Sequence, residues 1–152
     1  MRGFDLRGLG GGDNIRVFGD LANVTIDGGD GNDKIVGGAG NDFLIGGAGK
    51  DQIDGGARND RLNGNGGNDK LFGNLGADRL YGYAGNDYLD GGSSGDRLEG
   101  GAGQDTLLGQ SGDDRFFTGD GEVDHLFGAT GKDIAQTSDA QDLLSSVTPA
   151  TA

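Results

Sequence analysis

A single large apolar side chain returns every nine residues through the middle of this chain: Ile35, Leu44, Ile53, Leu62, Leu71, Leu80, Leu89, Leu98, Leu107 and Phe116. The residues between them are mostly glycine, aspartate, asparagine and other small or polar types. Such spacing matches neither the 3.6-residue period of an amphipathic helix nor the two-residue alternation of a long half-buried strand. It predicts one short inward-facing strand and one turn per unit. Residues 28–117 divide into ten such units without insertion or deletion, beginning GGDGNDKIV and GGAGNDFLI. Position 1 of each unit is Gly, position 6 is Asp and position 8 is the apolar residue. Position 4 is Gly except at Arg58 and Ser94, and position 2 is looser, with Asn65, Asn74, Tyr83 and Gln110 among its occupants.

The stretch GGxGxD holds several residues that tolerate φ > 0 and is expected to form a tight turn, leaving a three-residue strand centred on position 8. One strand cannot close on itself. Two units therefore make a coil of eighteen residues, and stacked coils give two parallel sheets facing each other across a thin apolar core. Odd units supply one sheet and one row of turns, even units the other. Both exceptions at position 4 fall on the even row. Ser94 precedes Gly95, so the glycine conformation is expected to slide by one place there, whereas Arg58 is expected to strain its turn and weaken the row around Asp60.

Composition narrows the possibilities. With 36 glycines and 32% hydrophobic residues the chain cannot build an ordinary globular core, and a period of nine with one proline excludes collagen. The net charge of −13 argues against nucleic acid or an anionic membrane surface as the general partner. Cysteine is absent, so no disulfide holds the fold. No stretch approaches the ~18 apolar residues of a membrane span, and residues 1–13 lack the apolar run of a secretory signal. The expectation is a piece of a longer protein, or export by a route that reads no N-terminal signal. Aspartates stacked about 4.8 Å apart repel one another and call for a counter-ion. Carboxylates with turn carbonyls are hard oxygen donors, which suit Ca²⁺; Zn²⁺ is poorly served by a chain with one His and no Cys.

The motif GGxGxDxUx, with U apolar, resembles the RTX (repeat-in-toxin, hemolysin-type calcium-binding) nonapeptide-repeat family. The resemblance implies an all-β, right-handed parallel β-roll with calcium between successive turns of one row. Ligands would be the position-6 aspartates and backbone carbonyls of the glycine-rich loop. On the odd row the pairs would be Asp33/Asp51, Asp51/Asp69, Asp69/Asp87 and Asp87/Asp105; on the even row Asp42/Asp60, Asp60/Asp78, Asp78/Asp96 and Asp96/Asp114. Asp124 and Asp133 extend the rows into degenerate units, and Gly28, Gly37, Gly46, Gly64, Gly73, Gly82 and Gly100 are the candidate carbonyl donors. About eight Ca²⁺ in the regular stack, with room for more at its ends, would take the charge from −13 to about +3. The resemblance further implies a non-catalytic part of a larger secreted bacterial protein, unfolded at low calcium inside the cell, exported by type I secretion and folded outside.

Four segments follow: degenerate repeats or a cap over 1–27, the ten-unit roll over 28–117, degenerate repeats over 118–136, and a cap or tail over 137–152. In the first, Asp13 and Ile15 keep the motif, Val17 and Phe18 form an insertion, and Val24 stands where Asp belongs, so that coil is expected to lack metal. Thr118 enters as one extra residue. Residues 139–147 read as a C-terminal cap, with an export signal as the competing reading. His125 stands alone and is expected on an exposed loop, so no nucleophile–His–acid set can be assembled and no enzyme is expected.

Positions 7 and 9 face outward, and the even units align Phe43, Arg61, Arg79, Arg97 and Arg115 in one column. Four arginines in phase read either as a docking strip for an anionic polysaccharide or surface, or as charge compensation on a face that must not stick to other sheets. The first would make the chain a calcium-dependent adhesion module.

Overall fold

The computed structural model describes residues 4–19, 23–137 and 142–149, and among these there is no helix. In chain order the strands are β1 (Phe4–Arg7), β2 (Asn14–Arg16), β3 (Val24–Asp30), β4 (Lys34–Gly38), β5 (Phe43–Ala48) and β6 (Gln52–Ala57). They continue as β7 (Arg61–Gly66), β8 (Lys70–Leu75), β9 (Arg79–Ala84), β10 (Tyr88–Ser93), β11 (Arg97–Ala102) and β12 (Thr106–Ser111). The last are β13 (Arg115–Phe117), β14 (His125–Phe127), β15 (Ile134–Gln136), β16 (Leu143–Ser145) and β17 (Thr148–Pro149). Odd-numbered strands form a nine-stranded sheet, called sheet A below, and even-numbered strands an eight-stranded one, sheet B. Every pairing is parallel. Within the regular stack each residue pairs with the one eighteen positions on, as Leu62 does with Leu80. The chain is thus a parallel β-solenoid of two-unit coils. The ten units alternate between the sheets as the period requires, odd units on sheet B and even units on sheet A.

The core is the ladder of position-8 side chains, from Ile26 through Phe116 to Leu126, each fully buried between the sheets, with Ala135 at its far end. Burying each side chain contributes about 1.5–3 kcal/mol. One such side chain per nine residues is little apolar burial for so glycine-rich a backbone.

The strands are longer than the expected three residues. In the regular stack most run six residues, from position 7 through position 3 of the next unit, and the short form persists at β2 and from β13 onward. The pairing skips position 1 in each regular rung, as at Gly37 beside Gly55, so the strand bends there and continues. Position 1 is consequently a second inward position, and the turn shrinks to positions 4–6. Position 2 takes φ > 0 throughout the ten units, including Asn65, Asn74, Tyr83 and Gln110 at +71° to +77°. Glycine at position 1 is required for space instead.

The ends follow the stack imperfectly. Val17 is buried and Phe18 exposed, so half of the two-residue insertion joins the core. The offset between aspartates grows to nineteen after Thr118, as that extra residue requires. His125 is exposed but lies on β14, because residues 125–127 pair with β12, and is not on a loop. Of the segment expected as a cap, residues 139–141 lie outside the described residues; the remainder adds β16 beside β14 and, with Thr148–Pro149, β17 beside β15.

Candidate metal centre

The position-6 aspartates turn into the solenoid. From Asp33 to Asp133 none is more than 3% exposed. Each is held by the same hydrogen bond, in which the Asp33 N–H donates to Asp51 Oδ1 at 2.8 Å and the Asp60 N–H to Asp78 Oδ1 at 2.7 Å. The ladder pairs the aspartates eighteen apart on both rows, in the neighbour relations expected from the period. One oxygen of each carboxylate is thereby used. The other, Oδ2, is buried and has no hydrogen-bond partner in Asp13, Asp33, Asp51, Asp69, Asp87, Asp105 and Asp124 on the odd row, nor in Asp42, Asp60, Asp78, Asp96, Asp114 and Asp133 on the even row.

Position 1 explains where these oxygens sit. A methyl group added to Gly28 would collide with Asp33 Oδ2 and with the carbonyl oxygen of Gly46, one coil further on. The same two obstacles confront Gly46, Gly64, Gly73 and Gly82, so a carboxylate oxygen of one unit and a glycine carbonyl of the next coil flank the same small space. Of the glycines expected as donors, Gly28, Gly46, Gly64, Gly73, Gly82 and Gly100 are brought beside an aspartate in this way, Gly28 beside Asp13. Gly37 lies against Asp42 Oδ2 and the Gly55 carbonyl like the others, but the coil before it offers the Gly37 carbonyl Val24 in place of an aspartate. Gly55 and Gly91 stand beside Asp42 and Asp78 although sequence reasoning passed them over; their position-1 register was the signal.

Most of the turn's donors are satisfied within the stack. Position 4 donates to position 3 of the next coil, as Gly49 N–H does to Gly66 O at 2.7 Å, and position 6 to the next carboxylate. Position 5 donates to an asparagine side chain one coil back, as Lys50 N–H does to Asn32 Oδ1 at 2.8 Å, an asparagine ladder that the sequence reading missed. The carbonyls of positions 4 and 5 accept no hydrogen bond among the described residues. Most turn N–H groups are therefore spent within the protein while the oxygens of positions 4 and 5 are left over, an excess of oxygen donors that suits a cation. No place among the described residues gathers three or more Asp, Glu, His or Cys side chains. An ion here would draw most of its ligands from the backbone, which suits a large, oxygen-seeking ion such as Ca²⁺.

Electrostatics point the same way. Burial pushes the Asp69, Asp78, Asp87, Asp105 and Asp114 carboxyls up to about 6, against a partial offset from the N–H bond each accepts. Asp60 and Asp124 rise to about 7 and Asp96 to about 8, again chiefly by desolvation, with neighbouring carboxylates adding to it. Asp42 and Asp51 are raised too, for the same first reason. A cation among these groups would reverse the shift.

Two details differ from expectation. Ser94 itself takes φ = +80°, so the glycine conformation does not slide to Gly95; Arg58 takes +77°, a bulky residue in the left-handed region. The odd row also begins lower than Asp33, since Asp13 N–H donates to Asp33 Oδ1 at 2.7 Å. At its other end Asp124 N–H donates to Asp142 Oδ1 at 3.2 Å, and the Thr118 hydroxyl donates to Asp142 Oδ2. The even row begins at Asp42, whose Oδ1 accepts from Val24 N–H.

A family model described as the RTX calcium-binding nonapeptide repeat (4 copies) matches residues 7–44, 27–62, 45–80, 63–94 and 90–122. No curated protein gives a significant match to the chain.

Proposed function

The chain belongs to the RTX calcium-binding nonapeptide-repeat family, and from that premise we propose that this calcium-binding structural module folds only when calcium fills the spaces between its turns. Buried oxygens without hydrogen-bond partners, repeated along both rows, carry the reading. Without a cation the fold must either bury like charges in line or keep many carboxylates protonated. With Ca²⁺, the position-6 Oδ2 atoms and nearby carbonyls become ligands, and about eight ions serve the regular stack, with further places at Asp13, Asp124 and Asp133. The aspartate pairs and the position-1 glycines of the regular rows are the ligands assigned. Such a chain is disordered at the low free calcium of a bacterial cytoplasm and ordered outside, which fits a non-catalytic segment of a larger secreted protein, exported unfolded.

Far-ultraviolet dichroism tests this. In excess chelator at neutral pH the chain should lack β structure, and added calcium should restore it with a midpoint of about 10⁻⁴–10⁻³ M, as in other extracellular calcium modules. Magnesium should not substitute, because it sheds water reluctantly and demands octahedral geometry. A β-rich spectrum in chelator at neutral pH would overturn the proposal.

A further inference from the structure

The arginine column exists as expected: Arg61, Arg79, Arg97 and Arg115 pair in register across β7, β9, β11 and β13. Its members are not equivalent. Arg61 lies between the rings of Phe43 and Tyr81, its guanidinium carbon 5.3 Å and 5.0 Å from their centroids. Arg97 sits 3.5 Å over Phe117 and donates to Glu99 at 3.0 Å. Arg79 and Arg115 form no ion pair and no ring contact among the described residues. Committed and free guanidinium groups therefore alternate, and the free ones stand two strands apart, about 9.6 Å.

A groove of about 700 Å³ runs beside this column. Arg79, Arg97, Arg115 and Tyr81 line one side. On the other side the position-5 asparagine ladder, which passes from Asn41 to Asn59 and on to the Ala77 N–H, gives way to Ala77 and Gly95. Those two small residues leave the space open. A second concavity shares Asn59, Ala77 and Arg79 and carries the groove on to Arg61. At the opposite end the Asp113 side chain accepts from the Lys132 N–H instead of meeting an arginine.

We propose that this groove binds a linear carboxylate-bearing polysaccharide along the stack, with Arg79 and Arg115 each taking a carboxylate. Charge complementarity selects the anion, since three arginines of a chain of net charge −13 line this one groove and two of them form no ion pair among the described residues. An open-ended groove parallel to the stack selects a polymer over a compact ligand. Asp78 and Asp96 border the groove, so an anion is repelled until cations offset them; the inference rests in this respect on the calcium-dependent fold proposed above.

The test is titration calorimetry of a soluble oligogalacturonate into the calcium-loaded chain at low ionic strength, with dichroism on every sample. The parent should bind and weaken as salt rises. Arg79→Ser/Arg115→Ser should weaken binding about tenfold or more, whereas Arg61→Ser/Arg97→Ser should cost less and Lys34→Ser/Lys70→Ser, on sheet B, nothing. Calcium bridging between two acidic partners would be insensitive to the arginine changes, so equal affinity in parent and Arg79→Ser/Arg115→Ser overturns the groove. Folding without any binding overturns it as well and leaves the calcium proposal intact. Failure of calcium to fold the parent overturns the calcium proposal, and the groove with it.

Discussion

On the odd row, Gly31, Gly49, Gly67, Gly85 and Gly103 occupy position 4 with φ between +122° and +138°, and from Gly49 onward each lies so close to the carbonyl of the one before that no Cβ would fit. On the even row Arg58 and Ser94 fill the same position at +77° and +80°, alternating with Gly76 and Gly112. The aspartate ladder runs through both rows unchanged. What differs is the backbone beneath it: the odd row uses a conformation open to glycine, and the even row holds two side-chain-bearing residues in the left-handed region at about 1–2 kcal/mol each. A second handicap coincides with the first. Asp54 and Asp90, at position 9 just ahead of the units of Asp60 and Asp96, add like charge to those two carboxyls, which rise to about 7 and about 8 while the central odd-row carboxyls rise to about 6. The even row is therefore expected to release calcium first, and it is the row whose units carry the arginine column.

Removing the metal and changing the pH gives the largest contrast. These carboxyls have folded-state values above their unfolded value of 3.8, so their protonation favours the fold. That contribution is complete below about 3.8 and is lost as pH climbs through about 6 for the central odd row and through about 7 and 8 for Asp60 and Asp96. In excess chelator, lowering the pH from about 8 to about 5 should recover β structure by dichroism, and Asp60→Asn with Asp96→Asn should move the midpoint of recovery to higher pH. A metal-free chain that is equally disordered at both pH values would contradict the burial of these groups.

Next in size is the loss of one ligand. Asp69 has aspartates on both sides in its row, Asp51 and Asp87, whereas Asp42 is a true row end with Val24 beside it. Asp69→Ala should raise the calcium midpoint about 3–10-fold and flatten the transition, since neighbouring coils stabilise one another. Asp42→Ala should do less, and Asp60→Ala less than Asp69→Ala if the even row binds weakly at the outset. Identical titrations for Asp69→Ala and Asp60→Ala would erase the distinction between rows.

Much of this was legible in the sequence because a strict period leaves few arrangements open. Nine residues with one apolar position set the sheets, their register and the buried ladder from Ile35 to Phe116. The period did not reveal that position 1 faces inward, since a glycine shows no apolar signal; hence the strands were expected to be half their length. It did not separate the left-handed conformation of position 2 from the contact with an aspartate carboxylate that is peculiar to position 1. Asn74 and Tyr83 tolerate the former, and no residue but Gly meets the latter at Gly28 or Gly82. The alternation of free and committed arginines was likewise out of reach, because it depends on where Phe117 and Glu99 lie relative to Arg97.

A smaller effect follows from transplanting the even row's residue into the odd row. Gly67 lies against the Gly49 carbonyl at φ = +126°, so Gly67→Arg must shift its turn toward the conformation of Arg58. The cost should be about 1–3 kcal/mol, read as a lower melting temperature in saturating calcium. Unchanged stability would mean that the odd row is as tolerant as the even one.

The smallest expected effect is the reverse exchange. Arg58→Gly removes a bulky residue from φ = +77°, while glycine adds freedom to the unfolded chain, and the two terms oppose each other. Strain of about 1–2 kcal/mol against an entropic loss of about 0.4–1 kcal/mol leaves a net gain of about 0–1.6 kcal/mol, or a rise of no more than about 3–6 °C in a chain of this size. The gain should be accompanied by tighter calcium binding confined to the even row, because Asp60 shares its turn with residue 58 while the odd-row backbone is untouched. Combining Arg58→Gly with Asp69→Ala separates the rows: if the rows are independent the two changes add, and if relief of the even turn also restores the cooperativity lost at Asp69, the coils couple across the thin core as well as along each row.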